Sequence, residues 1–191
     1  SLAELLPDGD DGSISTVPCG YAADMRSRDD ASAAARNLAD LAAGLAAIEE
    51  RTGREIHIGM EPEPGCLLET TGDVLDFFEQ VLTVDGAARL CEAHGRSRQG
   101  ALDLLRRHIG ICLDMCHVAV AFEEPAEALA TLTRAGIRIS KVQLSAAPVV
   151  PAGRFAPSAL APYPPPAPSC PALVHEMTKS PSSSIPTDDH F

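Results

Sequence analysis

At the centre of the chain stands Ile109-Gly-Ile-Cys-Leu-Asp-Met-Cys-His117, a short apolar stretch that ends in an acid and an imidazole. Successive side chains of a strand point to opposite faces. One face is apolar and suits a covering layer of helices: Ile109, Ile111, Leu113 and Met115. The other face consists of Gly110, Cys112, Asp114 and Cys116, and its side chains are small before the acid. An acid at the C-terminal end of a strand, followed by a histidine, is typical of ligand sites in α/β enzymes.

A second stretch repeats this arrangement in Ile56-His-Ile-Gly-Met-Glu-Pro-Glu-Pro-Gly65. Its apolar face consists of Ile56, Ile58 and Met60, and its polar face of His57, Gly59, Glu61 and Glu63. The acids again follow the strand, and two prolines and a glycine then end it. Two strands with the same polarity and the same placement of carboxylates predict one shared polar site.

Helical spacing of apolar residues predicts helices between the strands. The clearest runs from about Asp30 to Glu50 and ends at Gly53, with an apolar stripe of Leu38, Leu41, Leu45 and Ile48. Another begins after an N-cap at Thr71, with Val74, Leu75, Phe78 and Leu82 buried. A polar segment containing Gly86, Gly95 and Gly100 then interrupts it. A helix resumes near Arg98 and buries Leu102 and Leu105.

Strands at both ends complete the predicted order. Ile14-Ser-Thr-Val-Pro18 is a short strand that ends at its proline. After His117, a helix begins at Pro125 and ends at Gly136, with an inner face of Ala128, Leu129 and Leu132. The last strand spans Ile137 to Ser145. We expect Val142 and Leu144 to face the helices, and Lys141 and Gln143 to lie on the opposite side.

Alternating strands and helices predict repeated βαβ units, hence a parallel α/β sheet with right-handed crossovers. This order fits an open doubly wound sheet as well as part of a barrel. The polar faces of the strands favour the barrel, because an open sheet buries apolar residues on both faces. The fold class is therefore α/β, a partial (β/α)8 TIM barrel, and no glycine-rich dinucleotide fingerprint follows any strand.

Composition and charge limit the kinds of molecule that the chain is expected to bind. The chain has 191 residues, 45% of them hydrophobic, and a formal net charge of -12. This charge argues against nucleic acid as a partner and fits a small polar metabolite, a sugar or a bound cation. Neither a signal peptide nor a membrane span is evident, although the sequence begins at Ser1 rather than Met. We therefore expect a cytoplasmic protein that does not bind membranes.

Six cysteines occur without a CxxC pair or a disulfide-like spacing. This usage is typical of reduced, mostly buried thiols. An alternative is a soft zinc site formed by Cys112, Cys116 and His117. We prefer oxygen ligands there, because better oxygen donors flank Cys116.

From about Pro148 the composition changes abruptly to proline and serine, as in Pro164-Pro-Pro166 and Ser182-Ser-Ser184. Such a segment cannot bury a core. We divide the chain into a partial barrel, residues 1–147, and a disordered tail, residues 148–191. The abrupt change also fits a truncated or frame-shifted gene product.

Three motifs together carry a resemblance: Ile58-Gly-Met-Glu-Pro62, Cys112-Leu-Asp-Met-Cys-His117 and Lys141-Val-Gln-Leu-Ser145. This set resembles the xylose-isomerase-like TIM barrels, which include sugar-phosphate isomerases and epimerases and, distantly, endonuclease IV. The longer string Glu61-Pro-Glu-Pro-Gly-Cys-Leu-Leu-Glu-Thr70 is similar to the EboE family of metabolite-traffic proteins within that superfamily. The resemblance covers Ile14 to Ser145 and implies strands four to seven of a barrel, without the first three and the eighth.

The resemblance also implies a site. Glu61 and Asp114 match the family's metal-binding and catalytic carboxylates, and His117 matches a histidine that contacts substrate or metal. Gln143 stands where the family usually has a metal-binding histidine, and the glutamate of strand eight has no counterpart. We expect Glu63 and Gln143 to contact substrate. Mn²⁺ or Mg²⁺ suits these donors better than Zn²⁺.

The resulting hypothesis is a sugar phosphate isomerase or epimerase that moves a proton next to a carbonyl with the help of a divalent metal. The alternatives are a non-catalytic, EboE-like metabolite-trafficking protein and an inactive truncated fragment. Each candidate also has a structural alternative. Glu61 and Asp114 could cap a loop or a helix, His117 and His57 could be satisfied core histidines, and Lys141 could be a Schiff-base lysine. Open sheet edges predict self-association.

Overall fold

The computed structural model describes residues 6–7, 11–25 and 27–146. Its elements follow one another in the order β1 (Gly12–Thr16), α1 (Arg28–Thr52), β2 (Ile56–Met60), α2 (Thr71–Asp76), a π-helix (Phe77–Gly86), α3 (Ala87–His94), α4 (Arg98–His108), β3 (Ile109–Asp114), α5 (Met115–Val120), α6 (Pro125–Arg134) and β4 (Arg138–Gln143). The predicted tail from Pro148 lies outside the described residues.

The four strands form one parallel sheet in the order β1-β2-β3-β4. Because spatial order equals chain order, every crossover moves in the same direction, and right-handed crossovers then place all connecting helices on one face. This is a half-barrel sheet, so the predicted parallel α/β architecture is confirmed, whereas the four strands do not make a full barrel. β1 and β4 are the edges of the described sheet, and self-association through them stays a prediction.

The main core lies between the sheet and its helices. Strand residues that enter it include Ile58, Met60, Ile109 and Ile111, each at most 3% exposed. The predicted apolar faces of β2 and β3 therefore do face the helical layer. Within the described ranges, no helix combines the length and the apolar character needed to cross a membrane.

Alanines, together with Leu45 of the predicted stripe, form the buried face of α1. Ser27 and Asp30 form a capping box at its start, and Gly53 ends it in the left-handed conformation with φ 69°. The alanine series is fully or almost fully buried: Ala31, Ala35, Ala39, Ala42 and Ala46. The predicted stripe is thus wrong at Leu41, which is 41% exposed. Small side chains let α1 lie close to its neighbours.

One continuous helical segment spans α2, the π-helix and α3. Its N-cap is Thr70 rather than Thr71, with Asp73 completing the capping box. The predicted interruption at Gly86 is also wrong, because Gly86 is helical with φ -65°. A Cβ on Gly86 would lie 3.2 Å from the carbonyl oxygen of Ala35. The absence of a side chain at Gly86 therefore allows the segment to pack closely against α1. The segment ends instead at Gly95, which has φ 63°.

Two paired glycines shape the concave face of the sheet. Gly59 of β2 lies opposite Gly110 of β3 in the register. A Cβ on Gly110 would lie 2.5 Å from the carbonyl oxygen of Arg138. Ser140 donates its hydroxyl to the carbonyl of Ile58 across this glycine pair, at 3.1 Å. β4 thus folds over β3 toward β2, and the concave face is covered there by the chain itself.

The expected burial of the apolar residues at the end of the chain's last strand is wrong. Val142 is 43% exposed and Leu144 is 91% exposed, so neither is covered by helices. The register shifts between Ile111 and Cys112, and beyond this shift Val142 pairs with the buried Leu113, on the predicted side. Val142 is nevertheless exposed because β4 is an edge of the described sheet. Beyond the shift, Gln143 lies opposite Asp114, as expected from the polar faces.

Ion pairs join the strands at the end opposite the candidate site. Arg138 pairs with Glu55, which immediately precedes β2, and lies 3.2 Å from Asp11, which precedes β1. Arg107 pairs with Glu49 and Glu55. The hydrogen bond from Arg107 lowers the pKa of Glu49 despite the opposing effect of burial. These charges are therefore engaged with one another at the amino ends of the strands.

Candidate metal and substrate site

Asp114 is the centre of the candidate site. It ends β3, is 8% exposed, and caps α5 by accepting a hydrogen bond from the backbone N–H of Cys116 at 2.8 Å. Ser145 donates its hydroxyl to the same oxygen, Oδ1, and Gln143 Nε2 donates to Oδ2 at 2.9 Å. Burial raises the pKa of Asp114, but the hydrogen bonds from Ser145 and Cys116 outweigh burial and hold that pKa below its ordinary value.

His117 lies between the two acids that end β2 and β3. Its Nδ1 is 3.1 Å from the carbonyl oxygen of Pro62 and 3.6 Å from Glu61 Oε1. A carbonyl oxygen only accepts hydrogen bonds, so Nδ1 carries the proton and Nε2 keeps its lone pair in the neutral ring. The polar end of β2 therefore orients His117, as carbonyl groups orient histidine ligands in metal sites.

Glu63 belongs to the same acidic cluster. It is partly buried after β2, although a Pro-Glu-Pro turn could have aimed it outward. Burial raises the pKa of Glu63, and the charges of Glu61 and Asp114 raise it further against the opposing effect of His117. The structure thus brings the predicted residues of β2 and β3 to one end of the sheet.

Three potential metal ligands come within reach of a single ion. One ligand atom each from Asp114, Cys116 and His117 lies within 4.8 Å of the other two. Glu61 is adjacent through its contact with His117. Cys112 is not part of the group, because it lies inside β3, whereas Cys116 lies in the first turn of α5. The alternative zinc site of Cys112, Cys116 and His117 is therefore wrong at Cys112.

The donors fit a divalent cation. A carboxylate, an imidazole with a free Nε2 and a thiol are all ligands of divalent metals in proteins. Burial raises the pKa of the Cys116 thiol, and the nearby Asp114 carboxylate raises it as well, so the thiol is protonated without a metal. Residues of the strand-end loops supply the partners that hold these ligands in place.

Two residues of the β4 side complete the surroundings of Asp114. Gln143 presents its amide N–H, rather than its carbonyl oxygen, to Asp114. Ser145 was not among the predicted site residues, yet its hydroxyl donates to Asp114 and accepts the backbone N–H of Cys116. The period-2 alternation of a strand places Ser145 on the face of Gln143, and this signal could have identified it.

A small cavity lies beside Asp114 on the helical side. Its lining includes both polar and apolar groups: Pro62, Glu69, Thr71, Val74, Leu113, Asp114, Val118, Glu123 and Leu132. The Glu123 carboxylate accepts hydrogen bonds from the Thr71 backbone N–H, at 3.0 Å, and from its hydroxyl, at 2.9 Å. This contact fastens the loop after α5 to the start of α2 and supports the rim of the site.

The remaining candidates lie away from the ligand group. His57 is 4% exposed in β2, and within the described part of the chain no group hydrogen-bonds to its Nδ1. Burial lowers the pKa of His57, which fits the core histidine that we considered. Lys141 is partly buried on β4, opposite Cys112 in the register.

Comparison of the chain with protein-family models, curated proteins and solved structures finds no match.

Proposed function

We propose that the chain belongs to a sugar phosphate isomerase or epimerase of the xylose-isomerase-like type, which moves a proton next to a carbonyl with the help of a divalent metal. The observation that carries this proposal is the position of His117. It lies 3.6 Å from the Glu61 carboxylate and within 4.8 Å of a ligand atom of Asp114. Two carboxylates and one imidazole from different strand ends are thereby available to one substrate.

In this proposal Glu61, Asp114 and His117 hold a divalent cation, and these oxygen and nitrogen donors by themselves suit Mn²⁺ or Mg²⁺. The chemistry that a bound divalent cation supplies is polarisation of the substrate carbonyl. Glu61 and Asp114 move the proton on the neighbouring carbon, because a carboxylate at this place can accept it and return it. Glu63 and Gln143 bind substrate hydroxyls through their free lone pairs and N–H groups.

A second candidate is a non-catalytic, EboE-like protein that binds or traffics a metabolite. The hydrogen bond from Gln143 Nε2 to Asp114 Oδ2 favours it. This bond occupies an Asp114 oxygen and turns an N–H toward the place where a further strong ligand would be needed. Such a site can recognise a polar ligand through hydrogen bonds and still hold a metal too weakly for catalysis.

Solvent proton exchange tests the enzyme directly. The full chain is incubated in D₂O with Mn²⁺ and a panel of aldose and ketose phosphates, and NMR follows deuterium at the carbon next to the carbonyl. We expect exchange that Asp114→Asn abolishes and Asp103→Asn, an exposed control on α4, leaves intact. If no substrate exchanges, yet a sugar phosphate binds in calorimetry, the carrier replaces the enzyme. Absence of both exchange and binding would refute both functions.

A further inference from the structure

Cys116 lies among the potential metal ligands, although the sequence favoured carboxylates and an imidazole there rather than its thiol. Its ligand atom is within 4.8 Å of those of Asp114 and His117. It is only partly buried, and its backbone N–H is fixed by Asp114 Oδ1 at 2.8 Å and by the Ser145 hydroxyl at 3.0 Å. The residue is therefore held in place from two sides, and its side chain stays within reach of solvent.

A thiol changes which cation such a site prefers. Thiolate sulfur is a soft ligand that selects Zn²⁺ and related ions, whereas Mg²⁺ and Mn²⁺ prefer oxygen. A group of one carboxylate, one thiolate and one imidazole is a mixed set of the kind that zinc accepts in tetrahedral sites with an open fourth position. The backbone supports this set, because the three residues occupy the junction of β3 and α5.

We infer that Cys116 is a metal ligand that makes this site select Zn²⁺ and Co²⁺ over Mn²⁺ and Mg²⁺. The inference rests on the proposed metal site and specifies its preference. On binding, an S–metal bond forms, the S–H bond breaks and the proton passes to water, with no change of oxidation state. Asp114, Cys116 and His117 then provide three ligands, and Glu61 lies beside them through its contact with His117.

Cobalt spectroscopy distinguishes thiolate ligation from oxygen ligation. The full chain is reduced and titrated with Co²⁺, and the thiolate-to-cobalt charge-transfer band is followed in the near ultraviolet. We expect the band in the wild type and in Cys112→Ser, the control from the preceding strand β3, and its loss in Cys116→Ser. Competition between Zn²⁺ and Mn²⁺ should show that Cys116→Ser weakens Zn²⁺ binding by about ten- to a hundredfold and leaves Mn²⁺ binding nearly unchanged.

A second measurement uses the wild-type protein, so it does not depend on whether the Cys116→Ser variant folds. Alkylation by iodoacetamide, followed by mass spectrometry, should be slowed by Zn²⁺ at Cys116 and not at Cys91, a partly exposed cysteine on α3. Alkylation of Cys116 at the same rate with and without Zn²⁺ would overturn the inference. So would a charge-transfer band that persists in Cys116→Ser.

The two proposals fail differently. If Mn²⁺ binds and depends on Asp114, but Co²⁺ gives no charge-transfer band, only the role of Cys116 is wrong. If neither Mn²⁺ nor Co²⁺ nor Zn²⁺ binds, the proposed metal site itself is wrong, and the inference about Cys116 is wrong with it.

Discussion

Gln143 donates its side-chain amide to the Asp114 carboxylate, with 2.9 Å between Nε2 and Oδ2. The two residues lie opposite each other on β4 and β3. The strand that could add a further ligand therefore stabilises the ionised form of an existing one instead. In the proposed non-catalytic alternative, this hydrogen bond would make the site hold a metal weakly.

Replacement of Gln143 by histidine should strengthen metal binding. The substitution exchanges an amide N–H for a ring nitrogen that can bind the cation, at the place where the resemblance implies a histidine ligand. We expect about tenfold tighter binding of Mn²⁺ in isothermal titration calorimetry. Gln143→Leu, which removes the amide without adding a ligand, is the control and should not tighten binding. Equal affinities for all three proteins would show that β4 does not face the cation.

A methyl group on Gly110 should destabilise the fold. A Cβ there would lie 2.5 Å from a backbone oxygen of β4, so the strands themselves would have to separate. We expect Gly110→Ala to lower the free energy of unfolding by about 1–3 kcal/mol in urea denaturation. The control is Gly44→Ala on α1, where nothing lies within 4 Å of the added Cβ. This variant should gain about 0.5–1 kcal/mol, and a similar loss in both would refute the close approach of β4.

The strands of this fold were more predictable than its helix surfaces. The apolar alternation in β2 and β3 and the acids that follow them are local patterns, and they identify both the strands and the end at which the site lies. The alanine face of α1 and the helical Gly86 depend instead on how closely two helices approach, which no local pattern reports. The exposure of Val142 likewise depends on tertiary structure, because β4 is an edge of the described sheet.

His57 should make the fold sensitive to mild acid. Burial lowers its pKa from the ordinary value of 6.5, so the native protein keeps the ring neutral while the unfolded chain binds a proton. The contribution of His57 is complete above about pH 6.5 and is lost as the pH falls through the lowered native pKa. We expect a smaller loss of stability between pH 7 and pH 5 in His57→Gln than in the wild type, measured by urea denaturation.

The difference between these two proteins isolates His57 from the other titrating groups. Asp40 and Glu49 have lowered pKa values that start from 3.8 and 4.5, so their contributions change mainly below this pH range. Parallel stability curves for wild type and His57→Gln would show that the buried ring is already protonated or is accessible to solvent.

Phe122 occupies a position that suits glycine. It follows the end of α5 with φ 58°, in the left-handed region, and is 96% exposed. The side chain therefore loses no burial when it is removed, whereas the backbone strain is relieved. We expect Phe122→Gly to raise the free energy of unfolding by about 1 kcal/mol, and Phe122→Ala, the control, to leave it nearly unchanged. A less stable glycine variant would mean that the aromatic ring packs against the protein in solution.

The candidate site was predictable as a set of strand-end residues, but its connections were not. Glu61, Asp114 and His117 stand at the ends of recognisable strands. Pro62 accepts a hydrogen bond from His117 through its backbone carbonyl, and side-chain patterns do not reveal such a contact. The sequence favours the oxygen donors beside Cys116 over its thiol. The short distances among the ligand atoms, which the sequence does not reveal, place Cys116 in the site.

Anomalous X-ray diffraction from crystals grown with Mn²⁺ shows directly whether Glu61, Asp114 and His117 share one cation. We expect a single anomalous peak at the carboxyl ends of the strands, within about 2.6 Å of an oxygen of each carboxylate and of a ring nitrogen of His117. A peak bound to other residues, or the absence of any peak at saturating Mn²⁺, would contradict the convergence of these three side chains on a metal.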